Sequence, residues 1–137
     1  GKRSNMLVQH TDVAAQILDF AGVEPKKPID GKPFWKSAIE NGDGIRDHVT
    51  VGWSSAMTVI DHNWWLNCKV NGRGIFLWDL NAQKPFHNNV ADDNPDIVRK
   101  LFNYGVADAG GSFPEYILNL ADREADAPGC SELVARE

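Results

Sequence analysis

An Asn-Gly dipeptide between two runs of alternating residues is the sequence feature that most constrains the fold of this chain. The run before Asn71-Gly72 places two sets of side chains on opposite faces of an extended segment: Trp64, Leu66, Cys68 and Val70 on one, Trp65, Asn67 and Lys69 on the other. Alternation of this kind predicts a β-strand, and Asn-Gly favours a two-residue type I′ turn because both turn residues need a positive φ. The segment therefore predicts a β-hairpin.

A two-residue loop also fixes the register of the two strands, by counting outward from the turn. The expected partners are Val70 with Arg73, Cys68 with Ile75, Leu66 with Leu77, and Trp65 with Trp78. Because side chains alternate with a period of two, the first three pairs mostly share one face and the tryptophan pair lies on the other.

Further elements complete an α+β pattern. Alternation at Val49, Val51 and Trp53 predicts a strand and residues 57–60 predict another, so the hairpin becomes part of a small antiparallel four-stranded meander. Helices are expected over residues 11–21, for one turn around 35–39, from Asn94 as N-cap to an interruption at Gly105, and over 112–121 with Tyr116, Ile117 and Leu120 facing inward. A meander packed with helices in this order is typical of the α+β class.

The first predicted helix is apolar around more than half of its circumference. Thr11 is the expected N-cap, Asp12 complements the positive end of the helix dipole, and Gly22 follows as the C′ residue. A helix with so wide an apolar surface needs cover on two sides.

Composition excludes several classes of partner and leaves the redox state open. The chain has 19 acidic and 14 basic residues, and no Lys/Arg cluster offers a footprint for phosphates, which argues against nucleic acid. No apolar run approaches the ~20 residues that a membrane span needs, and no signal-peptide pattern is present. Cys68 and Cys130 could pair in an oxidising compartment or remain buried thiols.

Spacing alone assembles no catalytic or metal site. The nucleophile elbow, the P-loop, the dinucleotide fingerprint and the zinc motif are all missing, and the four histidines are far apart. His10 and Asp12 come nearest to a ligand pair, but polar groups at a helix start more often cap it. Asp92 and Asp93 could bind a hard cation or simply face the dipole of the helix that follows.

Five tryptophans lie between residues 35 and 78, and none lies elsewhere. Trp64, Trp65 and Trp78 fall on strands, where packing within the sheet explains them. Trp35 and Trp53 lie beside loops, and these two are candidates for a surface that meets a ligand or another domain.

Four segments in order resemble the C-terminal part of sulfatases, which belong to the alkaline phosphatase superfamily. Residues 9–23 (QHTDVAAQILDFAGV) are similar to the family pattern T-D-[LV]-A-P-T-I-L-D-L-A-G, and residues 29–32 (IDGK) to I-D-G-[KRV]-S. Residues 77–80 (LWDL) are similar to L-[YF]-D-L, and residues 86–95 (FHNNVADDNP) to E-x-x-N-L-A…N-P. The resemblance covers about two-thirds of the chain, and the tail after Leu101 matches no family pattern.

The resemblance implies a small four-stranded sheet packed with a helix, and a parent enzyme that cleaves sulfate esters. The family's nucleophile lies in C/S-x-P-x-R, is converted to formylglycine, and precedes this region together with the calcium ligands. Cys68 precedes Lys-Val-Asn and Cys130 precedes Ser-Glu-Leu, so neither is that nucleophile. We therefore expect no catalytic residue, metal ligand or cofactor in this segment, with calcium and formylglycine in the parent's missing N-terminal part.

The same resemblance predicts that the chain consists of two parts. Residues 1–47 would form a helix and long loop that pack on the missing N-terminal sulfatase domain, and residues 48–137 the antiparallel meander with C-terminal helices. Without its partner, the segment would be inactive and could self-associate through the uncovered apolar surface. Its compartment stays open between the periplasm or exterior and the cytoplasm.

The sequence departs from the family pattern at residues 61–66, where D-H-N-W-W-L replaces D-G-R-[WY]-K-[LY] and both basic residues are lost. Ala15 and Gln16 likewise stand where the family has proline and threonine. A different, less polar or sugar-like substrate would fit the added tryptophans. His48 and Trp53, which flank the first strand, are the candidate substrate-binding residues.

Two alternatives remain open at the level of sequence. The first is a non-enzymatic module that binds carbohydrate or protein through Trp35, Trp53 and the face of Trp65 and Trp78. The second is a fragment of a phosphonate or phosphodiester hydrolase of the same superfamily.

Overall fold

A computed structural model describes residues 3–40, 42, 44–126 and 131. In chain order the elements are α1 (His10–Phe20), α2 (Trp35–Glu40), β1 (Val49–Trp53), β2 (Ala56–Ile60), β3 (Trp64–Lys69), β4 (Phe76–Asp79), α3 (Pro95–Asp108) and α4 (Glu115–Arg123). The strands form one sheet in the order β1-β2-β3-β4, antiparallel from β2 to β4, so the predicted α+β class is confirmed. No helix in the described ranges is both long and apolar enough to cross a membrane.

The chain divides into two compact units, residues 1–49 and residues 50–137. The first unit contains α1 and α2 joined by a long loop. The second contains the sheet from its first strand onward, together with α3 and α4. Each unit has its own internal packing.

The N-cap of helix α1 lies two residues before the predicted one. Gln9 is the N-cap, and its backbone N–H donates to the Asp12 carboxylate (2.8 Å), so the predicted capping role of Thr11 is wrong. Asp12, at the third helical position, thus accepts a hydrogen bond from the N-cap backbone, as in a capping box. At the other end, Gly22 adopts φ +63° and Val23 N–H donates to Leu18 O (3.0 Å), as the predicted glycine terminus requires.

The core of the second unit lies between the sheet and α3. Its buried members are aliphatic or small: Met57, Val59, Leu66, Cys68, Ile75, Leu77, Ala91, Val98 and Leu101. Helix α3 continues through Gly105, so the predicted interruption there is wrong. A Cβ on Gly105 would stand 2.5 Å from Met57 Sδ, which shows that glycine allows the helix to approach β2 closely.

The β3–β4 ladder has the predicted register where it is formed. It pairs Trp64 with Asp79, Trp65 with Trp78, Leu66 with Leu77, and Asn67 with Phe76. The two predicted pairs nearest the turn are absent from this ladder. Ile75 instead exchanges two backbone hydrogen bonds with Ser131 (2.8 and 2.9 Å).

The turn itself differs from the prediction. Lys69 N–H donates to Arg73 O (2.8 Å) and Gly72 N–H to Lys69 O (3.0 Å), which closes a three-residue loop with Gly72 at φ +78°. Asn71 lacks the positive φ of a type I′ turn, so the two-residue loop is wrong. This loop leaves the strands one residue out of step, and Gly74, at φ +63°, adds the extra residue on the β4 side that restores the register.

Helix α4 starts at Glu115 rather than near Ser112, and it turns a different face inward. Ala121 is fully buried, whereas Tyr116 is 72% exposed and Leu120 lies at the surface, so the predicted inward orientation of these two is wrong. Ile117 is half-buried and lies one helical turn before Ala121, on the same side.

Candidate functional site

A fully buried carboxylate organises the first unit. Asp12 Oδ1 accepts hydrogen bonds from Lys32 N–H (2.9 Å) and from the Arg46 guanidinium, and Asp12 Oδ2 accepts from Gln9 N–H. Arg46 is itself mostly buried. A buried ion pair persists only when further hydrogen bonds satisfy it, and Asp12 has them on both oxygens.

Gln16, one turn further along α1, holds the next part of the same loop. Its side-chain oxygen accepts from the backbone N–H groups of Phe34 (2.8 Å) and Trp35 (2.6 Å). Between these anchors the loop touches the helix directly, since a Cβ on Gly31 would stand 2.0 Å from Thr11 O. Only glycine fits this approach, and the loop is therefore fastened to the polar side of α1.

The opposite side of α1 is apolar and open. Ile17 is 62% exposed and Phe20 66% exposed, with Val13 on the same stripe. Trp35 of α2 meets Phe20 edge to face (centroids 6.1 Å apart) and is half exposed as well. We call Val13, Ile17, Phe20 and Trp35 the α1 apolar face.

The candidate metal ligands do not converge. Asp12 accepts from Gln9 N–H at the start of α1, which is the capping role that the sequence favoured over ligation, and it also binds the loop and Arg46. Asp92 and Asp93 are exposed in the turn before α3. No group of three or more His, Cys, Asp or Glu side chains suited to a metal lies within the described part of the chain.

His48 and Trp53, the two candidate substrate-binding residues, belong to different units. His48 Nδ1 lies 2.7 Å from Asp47 Oδ1, and this hydrogen bond lowers the pKa of the Asp47 carboxyl. Trp53 is 82% exposed at the end of β1. The next residue, Ser54, adopts φ +54°, a strained conformation for a residue other than glycine.

The tryptophans of β3 and β4 separate by face, as alternation predicted. Trp64 packs against the core, whereas Trp65 and Trp78 form the predicted cross-strand pair on the other face. Phe86 meets both edge to face (5.5 and 5.7 Å), and Phe76 stacks on Trp78 (5.6 Å, 12° between planes). Phe76 shares the parity of Trp78 and could have been found from sequence, but Phe86 comes from a loop that carries no periodic signal.

A charged cluster joins the hairpin to the chain after α4. Asp126 binds Lys69 Nζ through Oδ1 (2.5 Å) and Arg73 through Oδ2 (2.8 Å), and both partners lower the pKa of its carboxyl, the Lys69 hydrogen bond most strongly. Lys69 Nζ also donates to Glu124 O (2.5 Å), and the buried Ser55 hydroxyl donates to the Glu124 carboxylate. Sequence reasoning missed this cluster because Lys69 and Arg73 lie more than fifty positions before Asp126.

Cys68 is a buried free thiol. Burial raises its pKa to about 12, so it stays protonated at neutral pH and has no nucleophilic character there. Cys130 lies outside the described residues.

The four segments that resemble sulfatases contact one another in pairs. In the first unit, Lys32 N–H donates to Asp12 and Gly31 lies against Thr11 O, which joins the first two segments. In the second unit, Asn89 Oδ1 accepts from Leu77 N–H (2.9 Å), and Val90 N–H donates to Leu77 O (3.0 Å), which joins the last two.

No protein-family model matches the chain, and no curated protein matches it. A functional assignment therefore depends on the residues themselves and on their geometry.

Proposed function

We propose that this chain is the C-terminal portion of a sulfatase-family hydrolase. The parent enzyme would cleave a sulfate ester, and this segment would complete its substrate cleft without supplying the nucleophile. The observation that carries the proposal is the pairwise contact of the family-like segments through residues typical of the family. Asp12 contacts Lys32 and Gly31 contacts Thr11 in one pair of segments, and Leu77 contacts Asn89 in the other. Residues that recur in a pattern because they hold a fold together should make such contacts.

The α1 apolar face supports the partner that this proposal requires. Ile17 and Phe20 expose most of their surface, although burial of such a side chain contributes about 1.5–3 kcal/mol. Contiguous apolar surface of this kind marks an interaction site. In the proposed enzyme this face packs on the catalytic domain that precedes the segment.

Trp53 and His48 are the residues that we assign to the substrate cleft. An indole as exposed as that of Trp53 can stack on the flat face of a sugar or aryl group that carries the sulfate. His48 would contribute a polar contact to the substrate. Calcium and the formylglycine nucleophile belong to the catalytic domain of the parent, and we assign no step of the chemistry to residues of this chain.

The decisive experiment reads the coding sequence upstream of Gly1 in frame and then assays the full-length enzyme. We expect a C/S-x-P-x-R motif and hydrolysis of an aryl sulfate, with no turnover by the 137-residue chain alone. An upstream sequence without that motif would refute the proposal. Faster hydrolysis of an aryl phosphonate or phosphodiester than of the sulfate would identify the related hydrolase class instead.

The assignment of the cleft residues has its own test in the full-length enzyme. His48→Ala and Trp53→Ala should each lower kcat/KM, while Trp64→Phe, which changes a residue packed in the core, should leave it nearly unchanged. Unchanged kcat/KM in both alanine variants would remove these residues from the cleft.

A second candidate function, a carbohydrate-binding module without catalysis, is favoured by the exposure of Trp53. A glycan panel tested against the chain alone separates the two functions. Saturable binding that disappears in Trp53→Ala but persists in Trp78→Phe would favour the module, and the absence of binding would exclude it.

A further inference from the structure

Two cations face each other across the β3–β4 hairpin. Lys69 and Arg73 bracket the three-residue loop and are joined by the hydrogen bond from Lys69 N–H to Arg73 O. Like charges directly opposite in an antiparallel pair are destabilising. Lys69 is also nearly buried, so its charge is only weakly screened by water.

One carboxylate binds both cations. Asp126 Oδ1 binds Lys69 Nζ and Asp126 Oδ2 binds Arg73, so the two oxygens bridge the pair. Gly74 lies beside them at φ +63°, a backbone conformation that favours glycine.

Bridging by two oxygens of one anion is also how Lys and Arg bind sulfate and phosphate. We propose that Lys69 and Arg73 form a binding site for a tetrahedral oxyanion, which the Asp126 carboxylate occupies as an internal ligand. An external sulfate or phosphate group competes with Asp126 for the same two cations. The site is independent of the proposed sulfatase membership, since it depends only on contacts within the second unit.

The contacts around Asp126 define what must move when the anion exchanges. Glu124 stays fixed through its carbonyl, bound to Lys69 Nζ, and through its carboxylate, bound to the buried Ser55. Asp122 is held by Asn71 Nδ2 (2.7 Å). The described contacts of Glu124 and Asp122 do not involve the Asp126 carboxylate, so its displacement leaves them in place.

Removal of the internal ligand should uncover the site. In Asp126→Asn the charge is lost and the shape is kept, so sulfate or phosphate should bind about tenfold tighter than to the wild-type chain. Binding is followed by the NMR shifts of the Arg73 and Gly74 amides during titration with sodium sulfate or inorganic phosphate, with sodium chloride at equal ionic strength as the reference.

Asp122→Asn is the matched control, because it removes the same charge from the same segment without touching Lys69 or Arg73. It should leave the affinity at the wild-type level, and adding Arg73→Gln to Asp126→Asn should abolish the gain. Equal sulfate affinity in Asp126→Asn and Asp122→Asn would overturn the proposal.

The wild-type chain provides a second measurement that needs no folded variant. Sulfate that displaces Asp126 should shift the Arg73 amide resonance of the wild-type chain, in the same direction as in Asp126→Asn, relative to chloride. An Arg73 shift that is the same in sulfate, phosphate and chloride would also count against an exchangeable site.

Discussion

The core of the second unit and the main helix of the first unit bury different kinds of side chain. In the second unit the sheet and α3 enclose an aliphatic core that includes Leu66, Leu77 and Leu101. In the first unit α1 buries Asp12, Ala15 and Gln16, and leaves Ile17 and Phe20 in solvent. One unit follows the usual separation of apolar from polar residues, and the other inverts it along a single helix.

The difference shows what holds each unit together. The hydrophobic effect stabilises the second unit without fixing individual contacts, because it scales with the apolar area removed from water. In the first unit a few directed hydrogen bonds to Asp12 and Gln16 fix the loop on the helix. A helix with that arrangement has its apolar side free for another surface, which is the property the proposed function uses.

The largest expected effect is in the first unit. Asp12→Ala leaves the Arg46 guanidinium buried without its anion, and loss of one partner of a buried pair costs about 3–5 kcal/mol. We expect hydrogen exchange at the amides of Gln9 and Lys32 to become fast while the Leu77 amide stays protected. Asp30→Ala, which removes an exposed carboxylate of the same unit, is the control. Preserved protection at Gln9 and Lys32 would show that the carboxylate does not hold this unit.

In the second unit the corresponding change is Leu77→Ala. It removes a fully buried side chain, so the free energy of unfolding should fall by about 2–5 kcal/mol, measured by urea denaturation with tryptophan fluorescence. Val51→Ala truncates an exposed residue of the same sheet and should change it by less than about 0.5 kcal/mol. If the two variants had similar effects, the aliphatic cluster would not be the source of this unit's stability.

The thiol of Cys68 makes the second unit sensitive to alkali. Because its pKa is raised in the folded state, the unfolded chain loses this proton first as the pH rises above the ordinary thiol pKa. Stability should be unaffected below that value and then fall by about 1.4 kcal/mol per pH unit, until the folded thiol ionises at about 12. The measurement is urea denaturation between pH 7 and alkaline pH in a Cys130→Ser background.

Cys68→Ala in that background is the control, since the difference between the two unfolding curves isolates the thiol from other titrating groups. A difference that does not change with pH would mean that the Cys68 environment is not apolar.

The smallest effect on stability is expected on the α1 apolar face. Ile17→Gln should change the free energy of unfolding by less than about 0.5 kcal/mol, because the side chain is already in water. Sedimentation should nevertheless show weaker self-association of the chain. Ala15→Gln, on the buried side of the same helix, should destabilise the unit by overpacking. A strong loss of stability in Ile17→Gln would show that the inversion between units is incomplete.

Local patterns in the sequence were sufficient for the strands and for most of the helices. Alternation around Leu66 and Leu77 depends only on the two-residue period of an extended chain, and the observed ladder has the expected partners. The turn was harder to predict, because Asn71-Gly72 is compatible with more than one loop length. Gly72 and Gly74 produce two offsets that cancel, and only the complete backbone shows them.

The errors in the helices share one cause, which is that distant residues decide between locally similar alternatives. Gly105 would usually end a helix, yet it lies inside α3 because Met57 leaves room for no side chain there. Tyr116 was expected inside, but α4 turns Ala121 toward the core instead. At Gly105 the deciding contact, with Met57, joins residues that the sequence does not relate.

The candidate sites likewise divide into those that local sequence predicts and those that depend on distant residues. His48 and Trp53 could be named from sequence because they flank a predicted strand, and their role in a cleft stays a prediction. The cluster of Lys69, Arg73 and Asp126 could not be found, since the chain between its members is longer than any local motif.

The sequence by itself determined the α+β class and the meander, because both depend on periodicity and on interactions between near neighbours. The register of the hairpin agrees with the prediction only because two offsets in the turn cancel. Only the tertiary structure decided which side of α1 is buried. An apolar stripe predicts a buried face, but Lys32 and Arg46, far along the chain, bind Asp12 and draw the polar side inward. The pairing of a buried charge with its partner is specific to position, whereas apolar residues can find cover on any suitable surface, including one supplied by another domain.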